Sequence, residues 1–201
     1  EIASCLVGSE MCIRDSSDAG YITVLGLLLG AMMAIDMGGP INKAAYVFGT
    51  GVLATASQML EKGAQPGDPA VQACYIAMAA IMVGGMVPPI GIALACQFFP
   101  KKFTKEERGS KVSNFVMGAS FITEGAIPFA AADPIHVLPA CIVGSGLAGA
   151  LSMAFGCTLM APHGGIFVVP VMGNALLYLV ALVIGTVVSA VCLLYTSDAA
   201  D

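Results

Sequence analysis

From Val169 to Val191 the chain runs without one charged side chain. A helix needs ~20 apolar residues to cross the ~30 Å hydrocarbon core of a bilayer. In that core every backbone N–H and C=O must be satisfied within the chain, so such a segment folds as a helix. Further apolar runs occupy Tyr21–Ile35, Ala44–Leu60, Val71–Phe99 and Val137–Met160. The first is short for a span, and Val71–Phe99 is interrupted by Pro88-Pro89 and Gly91. Of 201 residues, 58% are hydrophobic and 10% charged, against roughly 25% charged in a soluble domain. These features predict an all-α polytopic membrane protein. It has about five transmembrane helices plus one or two re-entrant or broken helical segments.

The loops carry orientation. Pro100–Lys111, PKKFTKEERGSK, holds Lys101, Lys102, Lys105, Arg108 and Lys111, whereas the Gly- and Pro-rich turn 61–69 holds only Lys62. Basic residues in short loops stay on the cytoplasmic side. Loop 100–111 is therefore expected in the cytoplasm and 61–69 outside, which puts Lys43 on the inner side. Binding of nucleic acid or lipid headgroups is the alternative reading of this loop; a topology determinant is the expectation, and no nucleic-acid partner is expected. The pairs Gly26-x-x-x-Gly30 and Gly146-x-x-x-Ala150 read as close helix-packing positions.

The ends differ from the middle. Residues 1–19, EIASCLVGSEMCIRDSSDA, and 192–201, CLLYTSDAAD, resemble translated cloning or sequencing adaptors. They are expected to be non-native ends, leaving 20–191 for the membrane domain. Without them the core holds seven acids and seven bases, so the net charge of −5 says nothing of partners. With no initiating Met, the chain is expected to begin inside a larger protein. Cys74, Cys96, Cys141 and Cys157 lie in apolar segments without metal spacing and read as buried packing residues.

Four polar islands interrupt the apolar pattern: Asp36–Lys43 (DMGGPINK), Ser120–Pro134 (SFITEGAIPFAAADP), Asp133–His136 (DPIH) and Ala161–Gly165 (APHGG). Each joins Gly or Pro to an ionisable residue. Broken helices at membrane depth survive only where they are buried in protein or line a cavity. They are also where transporters place polar substrates. Glu124 stands out, because its flanks Phe121, Ile122, Ala126 and Ile127 offer no partner. An intramembrane acid of that kind is expected to face a substrate. Asp36 can instead cap a helix or pair with Lys43. Asp133, before Pro134, can be a cap or turn residue. His136 can sit solvated at an interface, and His163 can be a loop hydrogen-bonder. His136 and His163 have no nearby third ligand, so no metal site is expected.

TEGAIPFAAADP at 123–134, GGPINKAAY at 38–46 and APHGGIFV at 161–168 together resemble the membrane component, enzyme IIC, of bacterial fructose-type sugar phosphotransferase systems. The resemblance runs from about Gly20 to Val191. It implies a sugar permease of the bacterial inner membrane, a transferase subunit that takes up fructose or a related sugar and has it phosphorylated. No bound cofactor is implied. The phosphoryl group comes from phosphoenolpyruvate through HPr, a IIA domain and a phosphocysteine of a IIB domain, none of whose carrying residues matches here. The resemblance further implies a homodimer and a missing N-terminal half.

By the same resemblance, Thr123, Glu124 and Gly125 match a motif whose Glu binds sugar hydroxyls, and Glu124 is the candidate catalytic base. Relatives place a His in the site. The corresponding region here, Asp36–Lys43, has none, and Asp36 or Asn42 stands in its place. His163 joins these as a substrate-binding candidate. Asp133, His136, Gly38, Gly39, Gly164 and Gly165 are secondary candidates, the glycines as points of close backbone approach. An ion-coupled secondary transporter of a small polar solute is the alternative reading of the same broken helices.

Overall fold

The computed structural model describes residues 19–196. Among them there is no strand, only an isolated bridge between Thr158 and Gly173. The α-helices are α1 (Ala19–Ile35), α2 (Pro40–Glu61), α3 (Pro69–Phe98), α4 (Lys105–Gly109), α5 (Lys111–Ala119), α6 (Ile127–Ala132), α7 (Pro134–Ala154) and α8 (Ala175–Thr196). Short 3-10 segments occupy Pro100–Lys102, Thr123–Ala126 and Gly165–Val171.

Five long helices stand where the five apolar runs predict them. By length and composition α3, α7 and α8 can each cross a membrane, and α1 is apolar but shorter. The last helix runs through 192–196, and Leu193 is 1% exposed. That part of the expected non-native end therefore continues the span, because its first residues keep the apolar pattern of α8. Residues 1–18 and 197–201 lie outside the described residues.

The fold is built on α3. At 1.5 Å per residue it is ~45 Å long, and almost all of it is buried between the other helices. Pro88 and Pro89 do not interrupt it, contrary to the sequence expectation. A buried proline is tolerated when another group satisfies the carbonyl it frees. Glycines let backbones meet around this axis. A Cβ on Gly30 would collide with the Ser145 carbonyl, and one on Gly84 would come within 2.7 Å of the Gly30 Cα. Gly30 thus marks the crossing of α1, α3 and α7. Gly26 lies on Gly149 as Gly30 lies on Ser145, so α1 and α7 run antiparallel.

Two segments enter the bundle and turn back. The first begins at the basic loop. Lys111 Nζ donates to Gln97 Oε1 at 2.7 Å. Gly118 lies on Pro89 and Ile90, and Thr123 reaches Gly85. This register carries α5 antiparallel down α3 to a tip ~20 Å short of its end at Phe98. α6 then returns, and its Phe129 packs edge-on against Phe103 of the basic loop with ring centroids 6.3 Å apart. The second segment enters from the other end. The Leu159 amide donates to the Tyr75 carbonyl at 3.1 Å, and Thr158 bridges Gly173 as the segment leaves. At its tip Gly165, with φ 57, lies against Ala119 and Ser120. The stretch Val112–Ala132 is therefore one re-entrant hairpin. Its tip meets that of a second, 159–173.

The loop 100–111 is itself ordered. Thr104 and Glu107 form a capping box for α4. Cys74, Cys96, Cys141 and Cys157 are buried free thiols. In the loop after α7, burial raises the pKa of Cys157, which keeps it an unreactive thiol.

Candidate functional site

The α1–α2 junction forms the first wall. Met37 (φ 45) and Gly38 (φ 117) turn the chain through left-handed backbone, and Pro40 starts α2 at a position where its missing N–H costs nothing. Asp36 caps the new helix from a distance. Its Oδ2 accepts from the Ile41 amide at 2.7 Å and its Oδ1 from the Asn42 amide at 2.9 Å. Asn42 is 8% exposed and donates through Nδ2 to the Met33 carbonyl at 2.7 Å. These bonds fix the first turn of α2 on the end of α1.

The hairpin tip forms the second wall. Within α3 the Gly85 carbonyl has no backbone donor three or four residues on, because those positions are Pro88 and Pro89. The Thr123 hydroxyl, buried at 3% exposure, donates to it at 2.9 Å. That bond ties the tip to the middle of the bundle. The next residue, Glu124, packs on the α1–α2 junction. A Cβ on Gly38 would sit 2.9 Å from Glu124 Cγ. The Glu124 carboxylate has no hydrogen bond or ion pair among the described residues.

Between the walls lies an open cavity of about 520 Å³, within the ~300–1,000 Å³ usual for small-molecule sites. Glu124, Thr123, Asn42, His163 and Gly38 line it, together with Lys43, Tyr46, Met33, Phe121 and Ile122. His163 comes from the tip of the second hairpin and stacks obliquely on Phe121, with centroids 5.4 Å apart. Phe121 also meets Tyr46, with centroids 6.1 Å apart. The cavity thus offers one free carboxylate, one ammonium, one imidazole and an aromatic wall.

The other sequence candidates have structural positions. Asp36 is the cap and not a cavity residue. Gly125 is buried against Asn114 and Met117 of α5. A Cβ on Gly39 would meet Asp36 Oδ2 at 2.6 Å, so Gly39 makes room for the cap. Gly164 (φ 138) and Gly165 shape the second tip without lining the cavity. Asp133 and His136 pair with each other instead: His136 Nδ1 lies 2.8 Å from both carboxylate oxygens of Asp133, at the start of α7. They do not join Glu124 at the cavity. Among the described residues, no three His, Cys, Asp or Glu side chains converge as a metal set.

The sequence reading missed Lys43, Tyr46, Met33 and the Phe121 ring as cavity residues. Tyr46 was recoverable, since it stands one helical turn from Asn42 and shares its face. Lys43 was masked by Asp36, which offered a plausible ion partner that the cap consumes.

A family model described as "Phosphotransferase system, EIIC" matches residues 2–144, more than half of the chain. The chain is 48% identical over 179 residues to the "PTS system fructose-specific EIIABC component" of Bacillus subtilis, covering 89% of this chain and 26% of that protein. It is equally similar, 48% over 179 residues, to the "Fructose permease IIC component" of Bacillus amyloliquefaciens, 53% of which is covered. Against the "PTS system fructose-specific EIIB'BC component" of Escherichia coli K12 the identity is 47% over 191 residues, 94% of this chain and 31% of that protein. The chain therefore spans about a quarter to a half of the relatives it matches. No solved structure matches it significantly.

Proposed function

The chain belongs to the phosphotransferase system EIIC family, and on that premise we propose that it supplies the substrate-bearing part of a fructose permease whose sugar is phosphorylated during uptake. One observation carries the reading: Glu124, free of any partner, is held against Gly38 at a cavity where two re-entrant tips meet. Glu124 accepts hydrogen bonds from two sugar hydroxyls. Charge-assisted bonds of this kind are roughly twice as strong as neutral ones. His163 and Tyr46 supply further polar contacts, and Phe121 and Met33 the apolar wall. As base, Glu124 takes the proton of the hydroxyl that attacks phosphorus, which requires hydrogen-bond reach of that proton.

The phosphoryl group originates in phosphoenolpyruvate and arrives on a IIB domain through IIA and HPr. Several of the relatives carry IIB in their names, and the same partner is proposed here. The basic loop 100–111 faces the cytoplasm of a bacterial inner-membrane permease and lies on the face from which the first hairpin enters. The remaining walls come from the sequence that relatives have beyond this chain, and a homodimer forms the scaffold.

The test uses an intact permease carrying this domain, in membrane vesicles with its relay proteins. Labelled fructose should accumulate as sugar phosphate, and only with phosphoenolpyruvate present. Uptake of unmodified sugar driven by an ion gradient, without phosphoenolpyruvate, would overturn the reading.

A further inference from the structure

We propose that Lys43 is the phosphoryl-binding residue of the cavity, holding the anionic group as it passes to the sugar and holding the sugar phosphate that results. The inference rests on the phosphoryl-transfer reading above and adds a residue that the sequence motifs did not single out. A cavity whose one free charge is the Glu124 carboxylate would repel an incoming phosphoryl group. Among the residues that line it, Lys43 is the one Lys or Arg.

Three features leave that ammonium available. Asp36, its nearest acid in sequence, spends both oxygens on the Ile41 and Asn42 amides. Lys43 has no ion pair among the described residues. Its backbone is fixed in the first turn of α2, where its own amide donates to the Gly39 carbonyl at 3.0 Å, so the side chain projects from an ordered base. The Asp36 cap also occupies the amides that would otherwise draw an anion to the helix end. The cationic handle at this wall is therefore the side chain.

Glu124 and Lys43 then divide the chemistry. The sugar hydroxyl oxygen attacks phosphorus and the new O–P bond forms. The S–P bond to the carrier cysteine breaks, and its electron pair leaves as thiolate. The hydroxyl proton passes to Glu124. Charge builds on the non-bridging phosphoryl oxygens, and Lys43 stabilises it from the α2 side. Such transfers depend mainly on positioning and electrostatic stabilisation.

Lys43→Gln in the intact permease, with relay proteins, tests this. Removing one preorganised charge partner typically costs about 100-fold in rate, so sugar phosphate formation should fall by that order. Binding of unmodified fructose should stay within about threefold, since the sugar loses no charged contact there. Lys43→Arg should restore much of the rate. Equal phosphorylation by Lys43→Gln would overturn the proposal, and so would parallel loss of sugar binding and phosphorylation. If the wild-type permease itself forms no sugar phosphate, the parent reading fails instead. A wild-type footprint covers the case of a variant that does not insert. Fructose phosphate should protect Lys43 from an amine-reactive reagent far more strongly than fructose at equal occupancy. Equal protection by both, or by neither, would refute phosphoryl binding.

Discussion

Thr123→Val should loosen the tip that carries Glu124 without disturbing the bundle. Valine keeps the branched shape and removes only the hydroxyl. That hydroxyl is 2.9 Å from the Gly85 carbonyl, which neither Pro88 nor Pro89 can serve. Thr123 is 3% exposed, so water does not readily replace it. Leaving a buried carbonyl unsatisfied costs about 1–3 kcal/mol, which raises the open population of the tip roughly 5- to 150-fold. Local opening of this kind is read by amide hydrogen exchange. In an intact permease in lipid nanodiscs, exchange at 121–126 should rise by that factor, while the α1 and α7 amides around Gly30 and Ser145 stay protected. Thr123→Ser keeps the donor and should exchange within about threefold of wild type. Unchanged exchange in Thr123→Val would refute the anchoring role. A uniform rise across the bundle would show that Thr123 serves global packing instead.

Two further predictions concern the junction and the loop. Gly38→Ala places a Cβ 2.9 Å from Glu124 Cγ at φ 117, so it should weaken fructose binding roughly 5- to 150-fold, from strain of roughly 1–3 kcal/mol; wild-type affinity would contradict the contact. Lys105→Cys, at an exposed position of α4, should resist an impermeant thiol reagent applied outside intact cells, and rapid labelling would reverse the orientation.

The long helices were legible because an apolar run of membrane length has few other ways to satisfy its backbone. Glu124 was legible for the converse reason, as an acid without a partner in its own neighbourhood. What the sequence hid depends on partners far apart along the chain. Pro88-Pro89 read locally as a break, but the donor that repairs the helix, Thr123, lies 38 positions from the Gly85 carbonyl it serves. Asp36 read either as a helix cap or as the ion partner of Lys43, and the local sequence does not decide between them; the Ile41 and Asn42 amides claim the carboxylate and leave Lys43 to the cavity. Asp133 was legible as a cap from its place before Pro134, and it does accept from the His136 amide at the start of α7; its pairing with the His136 ring was not legible. The meeting of the two hairpins had no sequence signal beyond the glycines of APHGG.

Glu124 is the sugar's charged partner in the proposed site, and Glu124→Gln in an inserted, full-length permease removes that charge alone. Gln keeps the size and one acceptor oxygen but loses both charge-assisted bonds, a loss of roughly 30-fold or more in affinity. Equilibrium binding of labelled fructose, with insertion checked separately, should weaken by at least that factor, and phosphoenolpyruvate-dependent uptake should cease. Binding and uptake by Glu124→Gln at wild-type levels would mean that the sugar does not depend on this carboxylate.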